Sequence, residues 1–396
     1  MNTRLIFSAL LCNVFLLFGH AQTYLPGQTY YGLNQYIEYR PGTLPIIITA
    51  PHGGYLQPSE IPDRNCTDCV TVMDAFTEEL SREIADAIAQ RMGCRPHLII
   101  NRLHRRKLDA NRDLAIAANG NPLAETAWFD FHRFIQAAKD SSAVHFGRGL
   151  LLDMHGHGHS VQRLELGYLL YGSELRMSDA VLNTTEFINY SSIRGLVQNN
   201  LQNQTHAQLL RGASALGTIY ENQFFRAVPS LPDPFPLVGQ DYFSGGYNTE
   251  RHGSIEGGPI DAIQIECNFS GVRDTPAHRS AFAQATAEAL EQYLQTHYFG
   301  ASFPDNACSG ATSVQETNVA GIRLHPNPAT HQIYMQWTGN EPIMAVLYDA
   351  RGRRFSATIS QNAEELKLEV SHLVAGWYVL QIQSGQETAM LRFLKI

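Results

Sequence analysis

Four short apolar runs, each ending in polar or charged residues, restrict what this chain can fold into more than any other feature. They are "LPIIITAPH" (44–52), "HLIINR" (97–102), "LLLDMHGH" (150–157) and "AIQIECNF" (262–269). Runs of this length, bounded by turn-forming residues, suit buried strands. Amphipathic stretches lie between them. "MDAFTEELSREIADAIAQRMG" sets Met73, Phe76, Leu80, Ile84, Ile88 and Met92 at helical spacing and stops at Gly93; "PAHRSAFAQATAEALEQYLQTHY" (276–298) has the same character. Strands alternating with helices predict an α/β domain with a mainly parallel or mixed central sheet flanked by helices. In such domains ligands gather at the carboxyl ends of the strands.

The flanks differ. Arg4, the apolar run Leu5–Phe18, and Gly19 and Ala21 at cleavage positions read as a secretory leader over residues 1–21. That run is short for a membrane span, no later stretch is long enough, and no transmembrane segment is expected. The main domain then covers 22–303. "PDNACSGATSVQETNVAG" (304–321) is small, polar and unpatterned, a linker. Residues 322–396 alternate in strand fashion between turn signals and predict a small all-β sandwich. Lys plus Arg number 29 against 37 for Asp plus Glu, a net charge of −8, which argues against a nucleic-acid or anionic-membrane partner. Six cysteines less Cys12 of the leader leave five, an odd number, so at least one is free or pairs between chains. Cys66 and Cys69 are read as a local disulfide.

The strand ends carry chemistry. His52 sits on a turn tightened by Pro51, Gly53 and Gly54. Asp153, His155 and His157 follow one another at every second position, and period two puts them on one face if the strand continues. Glu266 lies on the strand face opposite Ile265 and Cys267. A zinc hydrolase needs about three nitrogen or oxygen ligands, an open position for water and a nearby carboxylate. These strand ends supply that set. Asp109, Asn111 and Arg112 add an Arg fork beside a carboxylate, suited to gripping a substrate carboxylate or steadying an oxyanion. Plainer readings stand beside these. An acid such as Asp74 in a helix's first turn is favoured by the helix dipole. Asp153 suits the orientation of a ligand from behind. Arg105, Arg106 and Lys107 read as a solvated or substrate-facing loop, and His159 as a solvent residue.

Taken in order, "TAPHGG", "MDAFTEEL", "RRKLDANR", "LLLDMHGHG", "FSGGYNTERHG" and "AIQIECN" resemble the N-formylglutamate amidohydrolase-like family, a branch of the zinc carboxypeptidase fold, over roughly residues 40–300. The resemblance implies one zinc ion held by His52, Asp74 and His155. It implies Glu266 as general base and acid, and Arg112 with Asn111 at the reacting carbonyl. Arg251, His252 and Asp109 would line the substrate pocket. The carboxypeptidase HxxE is absent, Tyr55 standing three residues after His52, so the third ligand rests on Asp74. "HPNPATHQIYM", "LYDARGR", "VSHLVAGWYVLQI" and the terminal "FLKI" resemble the C-terminal sorting domain of type IX secretion, which implies the type IX machinery as partner and a secreted or cell-surface location.

The implied function is a secreted zinc-dependent amidohydrolase, cleaving an amide of an N-acyl amino acid or peptide-like substrate. Zinc hydrolysis of another bond, an ester or a cell-wall cross-link, and a non-catalytic surface-displayed binding protein are the alternatives.

Overall fold

The computed structural model describes residues 24–308 except residue 68, and, of the C-terminal segment, 324–326, 329–336, 343–349, 354–356, 359–361, 365–384 and 387–395. The leader lies outside the described residues, as does the expected linker beyond Cys308.

The first domain is built on β1 (Tyr30–Tyr31), β2 (Ile37–Arg40), β3 (Ile46–Ala50), β4 (His97–Asn101), β5 (Gly149–Gly156), β6 (Leu164–Gly167), β7 (Ala227–Val228) and β8 (Ile260–Cys267). They form one sheet in the order β1-β2-β4-β3-β5-β8-β6-β7. The four central strands β4, β3, β5 and β8 are mutually parallel and correspond to the four apolar runs. β2 pairs with β4, and β6 with β8, in antiparallel fashion, so the sheet is mixed. From β3 the chain crosses to β4 on one side and then to β5 on the other. The carboxyl ends of β3 and β5 therefore flank the point where strand order reverses, the place such sheets bind ligands.

Alternation decides which side chains face which layer. Leu150, Leu152 and Met154 of β5 and Ile263 and Ile265 of β8 pack with the helices Thr77–Met92 and Pro276–Leu294. Leu151 and Ala262 face the other way, against Phe131, Phe134 and Ile135 of the helix Pro122–Phe146. Each fully buried Leu or Ile contributes about 1.5–3 kcal/mol relative to exposure, which holds the strand ends rigidly in place. On that second face the alternation turns polar toward the carboxyl ends: Thr49, Asp153 and Gln264 form one cross-strand row, and His155 beside Glu266 the next.

Cys66 pairs with Cys69, Cys94 pairs with Cys308, and Cys267 is free and buried. Within the stretch read from the sequence as a linker, residues 304–308 end in a short helix, Asp305–Cys308, which the second bridge ties to the end of helix Thr77–Met92.

The C-terminal segment forms two four-stranded antiparallel sheets over one apolar core that includes Ile333, Leu347, Leu368, Leu380 and Phe393. This is the expected small β-sandwich.

Candidate metal centre

The centre is walled by the ends of β3, β5 and β8 and by the loops that carry Asp74, Arg112 and Gly246. β3 runs into Pro51 and His52, and the glycines after it permit close approach: a Cβ on Gly53 would overlap the Glu78 amide and the Thr77 hydroxyl. The segment before helix Thr77–Met92 is thereby drawn onto His52. The Asp74 N–H donates to the His52 carbonyl (3.1 Å), and the Asp74 carbonyl accepts from the Thr77 hydroxyl (2.8 Å). Phe76, in the left-handed region at φ 65°, turns the chain into the helix. Asp74 thus precedes the helix rather than occupying its first turn, and its carboxylate faces inward with 7% exposure.

Two imidazoles meet that carboxylate. His52 donates from Nε2 to Asp109 Oδ1 (2.6 Å), and His155 donates from Nε2 to Asp153 Oδ2 (2.8 Å). With Nε2 of each ring committed to these carboxylates, Nδ1 is the nitrogen left on each ring to face a metal ion. Both are aimed at one atom: His52 Nδ1 and His155 Nδ1 each lie 3.3 Å from Asp74 Oδ2. That is long for a charge-assisted hydrogen bond, about 2.7–2.9 Å. It matches the spacing between donors around a tetrahedral zinc ion, about 3.3 Å at bond lengths near 2.0–2.1 Å. Two nitrogens and a carboxylate oxygen, with outer carboxylates fixing both ring tautomers, form a donor set that fits zinc.

The electrostatics agree. Burial opposes a charge on His155, yet Asp153, Asp74 and Glu266 outweigh it and carry the imidazole well above its ordinary value. Burial acts to raise the Asp74 carboxyl, but His52 and His155 hold it well below the usual carboxylate range. Asp109, also buried, is held low by His52, Arg105 and Arg112. The site calls for positive charge, and a metal cation satisfies all three converging donors at once.

Glu266 completes the centre. Its Oε1 accepts from Gln264 Nε2 (2.9 Å) and lies 3.9 Å from His155 Nδ1. Its buried Oε2 has no hydrogen-bond partner among the described residues. Burial pushes this carboxyl up to about 8, opposed by the charge of His155 and assisted by Asp74 and Glu165. A cavity of about 110 Å³ opens here, with His52, Asp74, His155, Glu266 and Arg112 on its walls. Arg112 is steadied by its own Nη1 bond to the Asn111 carbonyl (2.8 Å) and by Trp128 Nε1, which donates to the Arg112 carbonyl (2.9 Å). Asn111 is buried, its Oδ1 accepting from the Asn248 N–H (2.7 Å) and its Nδ2 3.4 Å from His155 Nε2.

Of the residues singled out in the sequence, His52, Asp74, His155, Glu266, Asn111 and Arg112 are brought together. Three expected substrate contacts are placed otherwise. Asp109 is 1% exposed and stands behind His52, away from the cavity. His252 is buried with its ring stacked on His132, and Nε2 meets His132 Nδ1 at 2.8 Å. Arg251 lies over the Trp128 ring and bonds the Tyr247 hydroxyl. The "FSGGYNTERHG" loop reaches the cavity through Phe243, Gly245 and Gly246 instead. A Cβ on Gly246 would strike the Asn111 amide.

Arg105, read from the sequence as part of a solvated or substrate-facing loop, is instead 11% exposed and bridges Asp109 Oδ2 (3.0 Å) and Asp74 Oδ1 (3.1 Å), tying together the two carboxylates that touch His52. The i,i+4 spacing to Asp109 was its one signal in the sequence. Gln264 and Asn248, the latter donating to Asp153 Oδ1 (3.2 Å), were likewise missed.

Residues 323–395 match the family model described as a secretion system C-terminal sorting domain. No curated protein matches the sequence. Among solved structures, the chain is similar to an N-formylglutamate amidohydrolase from Ralstonia eutropha JMP134, at 12% identity and a TM-score of 0.38, over 68% of this chain and 94% of that one. It is also similar to a metallo-carboxypeptidase from Burkholderia cenocepacia, at 11% identity and a TM-score of 0.29, over 66% of this chain and 61% of that one. The described residues contain no helix long and apolar enough to cross a membrane. The C-terminal domain marks the protein for export through type IX secretion, to the cell surface or beyond.

Proposed function

We propose that the first domain is a zinc-dependent amidohydrolase, acting outside the cell on an amide of an N-acyl amino acid or a peptide-like substrate with a free carboxylate. The observation that carries this reading is the buried Glu266 Oε2, without a partner among the described residues, beside three converging metal donors. His52, Asp74 and His155 are the residues that would hold the ion. When bound, zinc supplies Lewis-acid activation of water and of the substrate carbonyl.

The chain's own groups do the rest. Gln264 occupies Glu266 Oε1, which leaves Oε2 to take a proton from the attacking water and return it to the leaving nitrogen. Arg112, on the cavity wall, binds the substrate carboxylate or steadies the oxygen on which charge develops. Arg105 is committed to Asp74 and Asp109 and serves to position His52. Asp109 and Asp153 hold the two rings in the tautomer that bares Nδ1.

Glu266→Gln tests the reading. The amide keeps the shape and cannot accept the proton, so turnover of N-formyl and N-acetyl amino acids should fall about 10²–10⁴-fold, with bound zinc unchanged. A variant that binds zinc and turns over like the wild type would refute the assignment.

A further inference from the structure

Immediately beyond His155, the chain gathers a second set of donors that the proposed reaction does not use. His157 and His159, from the "HGHGH" run, meet Glu165 at the start of β6, and one ligand atom from each falls within 4.8 Å of the others. His159, read from the sequence as a solvent residue, is turned inward. Its ring stacks on Phe243 with centroids 4.6 Å apart, and its Nδ1 lies 2.9 Å from Glu165 Oε1.

Two of the three, His157 and Glu165, are braced from behind by hydrogen bonds, as ligands of a metal usually are. His157 donates from Nε2 to the Arg163 carbonyl (2.8 Å), which leaves its Nδ1 lone pair, now accepting the His159 N–H at 3.1 Å, on the cluster side. Glu165 Oε2 accepts from the Phe243 N–H (2.8 Å), which turns Oε1 toward the histidines. The charge balance asks for a cation here too. Glu165 is wholly buried, and the β6–β8 register sets it directly opposite Glu266, itself 5% exposed. Two buried carboxylates facing one another are costly unless positive charge is supplied nearby.

We propose that His157, His159 and Glu165 form a second divalent-cation site, distinct from His52, Asp74 and His155. Two imidazoles and one carboxylate select a borderline ion such as zinc over calcium or magnesium. Opening the His159–Glu165 pair from 2.9 Å to the roughly 3.3 Å that separates donors on zinc is a small side-chain movement. The site binds more weakly than the first, because His157 Nδ1 must give up an N–H and His159 stands at the rim, its side chain 18% exposed.

The test counts metal on the full chain. Protein stripped with a chelator is titrated with zinc, and bound zinc per chain is read by native mass spectrometry. Cobalt absorption serves as an independent readout. The wild type should take two ions. His159→Ala and Glu165→Gln should each keep one, and His155→Ala should also keep one. Glu165→Gln retains an acceptor for the Phe243 N–H, and far-UV circular dichroism checks its fold; should it misfold, the rim variant His159→Ala decides. One zinc in the wild type, retained in His159→Ala and lost in His155→Ala, overturns the second site and leaves the first. One zinc lost in His159→Ala and retained in His155→Ala upholds the second and overturns the first. Two zincs in both second-site variants would also overturn it.

Discussion

Asp153→Asn isolates the contribution of a group that touches neither substrate nor metal. Asp153 Oδ2 accepts from His155 Nε2 at 2.8 Å, while Oδ1 accepts from the Thr49 hydroxyl (2.5 Å) and from Asn248 Nδ2 (3.2 Å). An asparagine that keeps both Oδ1 partners places its NH₂ against His155 Nε2. Two donors then face each other, and the ring moves its proton to Nδ1, the atom that must be bare to bind metal. Merely exchanging a charged acceptor for a neutral one costs about 1–1.5 kcal/mol. Reversing the tautomer adds to this and brings the loss near the upper end for outer-shell changes, about 100-fold or 2.7 kcal/mol in zinc affinity. Competition with a chromophoric chelator at neutral pH measures the difference directly. The metal-free variant should melt lower than the wild type, since Asp153 leads the carboxylates that hold the buried His155 imidazole charged, and removing one partner of a buried pair leaves the other uncompensated. Zinc affinity within threefold of wild type would refute the idea that Asp153 sets the His155 tautomer.

Two further expectations concern the scaffold. Burial pushes the Asp261 carboxyl up to about 6, against hydrogen bonds from Ser254, the Leu196 N–H and Tyr298. With the folded value above the ordinary 3.8, the unfolded chain ionises first. The stability this group contributes is full below about pH 4 and lost as pH rises through about 6, a change of about 3 kcal/mol; Asp261→Asn should remove that component from the pH dependence of urea midpoints, and unchanged profiles would count against it. The Cys94–Cys308 bridge spans 214 residues of sequence, and replacing both cysteines by serine should cost about 2–5 kcal/mol in guanidinium unfolding. Coincident midpoints would show that the segment after Phe303 is held by packing alone.

What the sequence disclosed and what it hid divide along a physical line. A parallel strand buried on both faces must be apolar, so β3, β4, β5 and β8 stand out as runs, and the polar residues ending them stand out against that background. Period two then places Glu266 with His155 on one face, as the register of β5 and β8 shows. The edge strands β1 and β7 and the neighbouring β6, at two to four residues, are too short to leave a pattern. Direction within a loop is the other hidden quantity. Asp109 and Arg112 sit three residues apart and read alike as substrate-facing groups, but only Arg112 reaches the cavity. Asp109 is turned inward by three donors, Arg105, the Asn111 N–H and His52, of which the last is 57 residues away in sequence. The same holds for His159: nothing in "HGHGH" foretells Glu165, because a turn and a change of strand separate them. Long-range partners decide whether a polar loop residue meets solvent or a buried charge, and a single sequence carries that choice only where a strand's period fixes the facing.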